Sequence, residues 1–135
     1  MHSVINPIYS RTAAARIMNL QWFEVEILAI QQTDVLVETK AGRFTIEKQQ
    51  FRDDFVQYRK DGAKTLIATR EDENSWIVKN PERGSYSSVN IVNGIPLCSC
   101  EDYASHGKAC KHIYAVLNQM GFDSLRDYTL SQGER

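Results

Sequence analysis

The sequence predicts an α+β fold: an N-terminal antiparallel strand meander, small-barrel-like and edged by short helices, followed by two strands and a helix. Three observations predict it. Apolar residues alternate with a period of two through residues 22–47, broken by two polar turns. Further on, Asn93-Gly94 separates two strand-like runs, the strongest short hairpin signal in the chain. Beyond it, Ile113, Val116, Leu117 and Met120 recur at i, i+3, i+4 and i+7, one apolar face of a helix.

Taken in order, residues 1–10 predict a loose leader with one turn signal at Asn6-Pro7, and His2 is expected to be disordered within it. Residues 11–20 are alanine-rich and predict a helix capped by Thr12 or Ser10. From Trp22, the residues Phe23, Val25, Ile27 and Ala29 alternate with Trp22, Glu24, Glu26 and Leu28, as in a half-buried strand. Two more strands, around Val35–Val37 and Phe44–Ile46, complete the meander. Phe51, Phe55 and Tyr58 sit at helical spacing and are expected in the core, with Gly62 where a C-cap would stand. Strands follow at 65–69, 75–79, 86–92 and 95–100. The polar stretch 101–109 predicts a loop, 110–120 a helix stopped by Gly121, and 124–128 a short helix with Asp123 as N-cap. The final residues, 131–135, are expected to fray. Trp22 and Trp76 are expected in the core.

The chain's 135 residues suit one domain or two very small ones. The divisions expected are 1–62, helix, meander and short helix, and 63–130, hairpin strands, loop and C-terminal helix, sharing one core because no flexible linker separates them. A formal net charge of −1 gives no general attraction to nucleic acid, so binding there would need a local patch. No apolar run approaches the roughly 20 residues of a membrane span. The first ten residues lack the basic-then-apolar order of a secretory signal, so a cytoplasmic address is expected.

All three cysteines lie between residues 98 and 110. An odd, clustered set is poor material for a disulfide framework, and with a histidine beside it points to metal. The pattern is Cys98-x-Cys100, nine residues, then Cys110-x-His112. Residues two apart on a strand share a face, roughly 6–7 Å apart, so the first pair belongs on a strand end. On a helix they would diverge by about 200°. The second pair converges if Cys110 precedes a helix and His112 lies in its first turn, which the start of the apolar face at Ile113 supports. The helix N-terminus there is expected to favour the Cys110 thiolate. Three thiolates and an imidazole fill a tetrahedral shell around one structural Zn²⁺, leaving no site for a catalytic water.

The stretch 76–120 resembles the SWIM zinc finger, which reads Cys-x-Cys, a variable spacer, then Cys-x-His. Trp76-Ile77-Val78 and residues 86–92 resemble its leading strands, and Cys98-Ser99-Cys100-Glu101-Asp102-Tyr103 and Cys110-Lys111-His112-Ile113 its two ligand boxes. The resemblance implies a ββα module holding one zinc, of the kind described as DNA-binding or protein-interaction elements in transposases and chromatin remodelers. The N-terminal meander is similar to small SH3-like barrels.

Other candidates are weighed against this set. His106 lies between the boxes and is expected on the loop surface. Glu101 and Asp102 are expected as solvated loop acids, with the alternative that one of them orients His112, as metal-bound imidazoles need a partner. A nucleophile–base pair of Cys110 and His112 would need hydrogen-bond reach and a third orienting group, and zinc would occupy both, so no enzyme is expected. Lys79, Arg83, Lys108 and Lys111, with Tyr86 and Tyr103 as stacking groups, form a candidate nucleic-acid patch interrupted by Glu82, Glu101 and Asp102. The function expected is macromolecular recognition on a zinc-held surface, most of all of nucleic acid, with a protein partner as the alternative. Neither a small-molecule substrate nor a membrane is expected.

Overall fold

A computed structural model describes residues 8–133. His2 and the Asn6-Pro7 turn lie outside the described residues. The fold is α+β, with five α-helices and two antiparallel sheets among the described residues. The chain divides into two compact units, Met1–Tyr58 and Arg59–Arg135. Each has its own cluster of buried residues.

In the first unit, helix α1 (Arg11–Met18) starts at Ser10, whose hydroxyl accepts from the Ala13 amide at 3.1 Å. Asn19 ends it in the left-handed region. Its three buried alanines join Val25, Val35, Val37, Ile46 and Phe51. Strands β1 (Glu26–Ile30), β2 (Asp34–Thr39) and β3 (Gly42–Glu47) form an open sheet in that order, not a closed barrel. The expected strand start at Trp22 is instead a 3₁₀ turn, Trp22–Glu24, where the Glu24 carboxylate accepts from the Gln21 amide at 2.7 Å. That turn breaks the period of two. Trp22 and Phe23 are consequently exposed, at 55% and 63%, contrary to the expected burial.

Helix α2 (Lys48–Ala63) is longer than the apolar stripe suggests. Phe51 and Phe55 are buried, but Tyr58 is exposed, its ring 4.0 Å from the Arg16 guanidinium. Gly62 is not a C-cap. It lies within the helix, and an added Cβ would stand 3.4 Å from Cβ and Cδ of Lys111.

The second unit carries β4 (Ile67–Asp72), β5 (Ser75–Asn80), β6 (Ser85–Val92) and β7 (Ile95–Cys98), an antiparallel sheet in chain order. The β6–β7 turn has positive φ at both Asn93 (54°) and Gly94 (77°), as a type I′ hairpin requires. Helix α4 (Lys111–Met120) buries Ile113, Tyr114, Ala115, Val116 and Leu117 against Trp76, Val78, Val89 and Cys98. The stretch expected as a loop contains a helix, α3 (Glu101–His106), and helix α5 (Leu125–Gly133) outlasts its expected end. Ser124, not Asp123, caps α5: its hydroxyl accepts from the Asp127 amide at 3.1 Å.

Candidate metal centre

The sheet's inward row sets the first half of the site. On β7, Pro96 and Cys98 are buried while Ile95 and Leu97 are exposed, so the alternation points Cys98 at the core. Cys98 is the last residue of the strand and pairs with Val89 of β6. The chain does not continue as a strand to Cys100, as the two-residue spacing suggests. Cys100 instead keeps an extended backbone and becomes the N-cap of α3, its sulfur accepting from the Tyr103 amide at 3.4 Å. Glu101 and Asp102 in the first turn complement the helix dipole, and Gly107 closes the helix at φ 66°. Cys110 is the N-cap of α4, so His112 falls in the first turn as expected.

These four side chains converge. Their ligand atoms all lie within 4.8 Å of one another. His112 Nδ1 is 3.7 Å from Cys98 Sγ and 3.8 Å from Cys110 Sγ. A tetrahedron with metal–sulfur and metal–nitrogen bonds near 2.3 and 2.05 Å has S···N edges of about 3.6 Å, so the spacing fits one zinc ion. Three thiols and an imidazole are also the donor set that zinc prefers to magnesium or calcium. Cys110 is fully buried and Cys98 nearly so.

Proton affinities follow from that crowding. The hydrogen bond from Cys110 holds the Cys98 thiol below its ordinary value, against burial. The same bond, with Cys110 as donor, and burial push Cys110 up to about 12. Burial raises Cys100 as well. The Ile113 amide at the helix N-terminus favours the Cys110 thiolate, as expected, but the neighbouring Cys98 sulfur and desolvation outweigh it.

The remaining candidates separate. His106 is on α3 and turns Nδ1 to the Asp102 carbonyl at 2.9 Å, outside the sulfur cluster. Asp102 does not orient His112. Its carboxylate takes a bidentate bond from Arg59, at 2.7 and 2.9 Å, and approaches His106 at 3.2 Å. Glu101 stands exposed at the start of α3. The outer nitrogen of His112, Nε2, meets Ser87 Oγ at 3.3 Å. Sequence reasoning missed Ser87: it shares the β6 row with Val89 and Ile91, but so does Ser85, and the pattern does not name the partner of either hydroxyl. Lys79 lies on β5, register partner of Tyr86, with its Nζ 5.7 Å from that ring's centroid. Arg83 is exposed on the adjoining turn and Lys108 in the loop before α4, whereas Lys111 is half-buried over Gly62. Tyr103 is half-buried against the core and is less open to stacking than Tyr86, 63% exposed.

No curated protein and no solved structure matches the chain at a significant level. The family model for the SWIM zinc finger matches residues 88–121, about a quarter of the 135-residue chain. That segment contains all four converging residues. The second unit thus carries a SWIM zinc finger in which Cys98, Cys100, Cys110 and His112 fit one zinc ion.

Proposed function

We propose that this protein is a non-enzymatic recognition module, in which the zinc holds a surface that binds nucleic acid. Four protein ligands complete a tetrahedral ion, so the metal has no position for a substrate or a reacting water. Its contribution is to fix β7, α3 and the start of α4 together. The observation that carries the nucleic-acid reading is the exposed Tyr86 with Lys79 beside its ring. An open aromatic face and an adjacent cation suit base stacking and phosphate contact, and Arg83 on the next turn extends the positive edge. Lys108 and Lys111 flank the metal ligands in sequence and complete the proposed set. Among the acids interrupting the patch, Asp102 is offset by its bidentate Arg59. Three free thiols fit a reducing, cytoplasmic setting. No helix among the described residues is long and apolar enough to cross a membrane.

The test is anisotropy titration of single- and double-stranded oligonucleotides across a salt series. Affinity is expected to fall steeply with salt, and Lys79→Ala to reduce the log–log slope by about 1. Tyr86→Ala is expected to cost about 1–3 kcal/mol on single strands. Undetectable binding at low salt would remove the nucleic-acid reading.

A second reading, a protein-interaction adaptor, is favoured by one specific observation. Trp22 and Phe23 stack edge to face at 5.8 Å on the surface of the first unit, 55% and 63% exposed. Exposed paired aromatics are what protein interfaces select. The net charge of −1 suits that partner as well. Capture experiments with the intact chain, repeated with Trp22→Ala, decide between the two: loss of a protein partner without loss of oligonucleotide binding would favour the adaptor.

A further inference from the structure

An imidazole has two ring nitrogens, and only one can face an ion. In His112 the choice is visible. Nδ1 turns to the sulfurs of Cys98 and Cys110, at 3.7 and 3.8 Å, while Nε2 turns away to Ser87 Oγ at 3.3 Å. A neutral imidazole that gives its Nδ1 lone pair to a metal carries its proton on Nε2, and that proton needs an acceptor. The acidic residues nearest in sequence do not supply one, since Asp102 is taken by Arg59 and His106.

We propose that Ser87 is the positioning residue of this metal centre: its hydroxyl accepts the Nε2–H of His112, selects the Nδ1-ligating tautomer and fixes the plane of the ring. Its place in the sheet suits the task. Ser87 sits on β6 opposite Val78, two residues before Val89, and Val89 pairs with Cys98. Strand alternation therefore sets Ser87 on the same face as the fully buried Val89, in a row that continues to Ile91. Ser87 is half-buried between exposed Ser85 and buried Val89 in that row, and the partner of its hydroxyl is the ligand ring. Ser88 faces the other way, and its hydroxyl bonds Ser99 Oγ at 3.5 Å instead. The same strand thus provides its own control position.

The inference rests on zinc being held by the four residues described above, and the experiment separates the two claims. The full chain, loaded with zinc, is compared with Ser87→Ala, Ser87→Thr and Ser88→Ala by competition with a chromogenic chelator. Ser87→Ala is expected to weaken zinc about 10–100-fold, and Ser87→Thr, which keeps the hydroxyl, to recover most of it. Ser88→Ala is expected to leave affinity unchanged. The nitrogen-15 spectrum of His112 in the unmutated, zinc-loaded protein is expected to show a metal-bound Nδ1 and a protonated Nε2, a readout that needs no variant to fold. Zinc on Nε2, or equal affinity of Ser87→Ala and the parent, overturns the role of Ser87 while leaving the zinc site standing. A parent protein that takes up no zinc overturns the zinc assignment and this inference with it.

Discussion

Cys110 illustrates how a single residue here answers to its neighbours more than to its helix. Its position at the start of α4 invites a thiolate, yet the sulfur of Cys98 and burial push it up to about 12. The sign of the resulting pH dependence follows directly. Zinc takes thiolates, so Cys110, protonated in the metal-free protein at neutral pH, must release its proton on binding, and Cys100, also raised, behaves alike. Affinity is therefore expected to rise with pH, by about tenfold per unit for each proton released, and to fall as the pH is lowered. Calorimetry in buffers of different ionisation enthalpy counts those protons directly. An affinity that stays flat between about pH 6 and 8 would contradict the assignment of thiols as ligands.

At the scale of elements, α4 does two jobs with two faces of one turn. Its first turn supplies His112, and the residues behind it fill the core. Leu117 is fully buried, so Leu117→Ala is expected to cost about 2–5 kcal/mol, the transfer loss plus an unfilled cavity. Leu97 on β7 is 38% exposed, and its replacement by alanine is expected to cost far less. Denaturant unfolding of the zinc-loaded proteins compares them, and equal losses would mean that α4 is not the packing element described. Helix α3 rests on different supports: a sulfur cap from Cys100, the Arg59–Asp102 pair and Gly107. Six residues are too few to hold a helix by propensity. This explains why the stretch reads as a loop in the sequence. Cysteine is not a usual N-cap, and Arg59 is remote in the chain.

For the molecule as a whole, two units with separate buried clusters imply two responses to metal removal. The first unit packs around Phe51 and its valines without a cysteine. The second has Cys98 and Cys110 within its cluster. Hydrogen exchange after chelation is expected to show lost protection in β7, α3 and the start of α4, with β1 to β3 unchanged. Equal deprotection of both sheets would refute the expectation that metal removal acts on the second cluster.

The sequence by itself determined the α+β class, the Asn93-Gly94 hairpin, the apolar face of α4 and the four metal-binding candidates. Each is a local matter: a period, a turn that needs positive φ, or a close Cys-x-Cys and Cys-x-His spacing. The tertiary structure decided the rest. The 3₁₀ turn that exposes Trp22, the Lys111 side chain over Gly62, Asp102 bound to Arg59 and Ser87 behind His112 all depend on residues distant in the chain or on a local break in period. Pattern reports which face a side chain takes, but not which partner the folded chain brings to it. For that reason His112 was legible as a candidate ligand, while the hydroxyl that meets its other nitrogen was not.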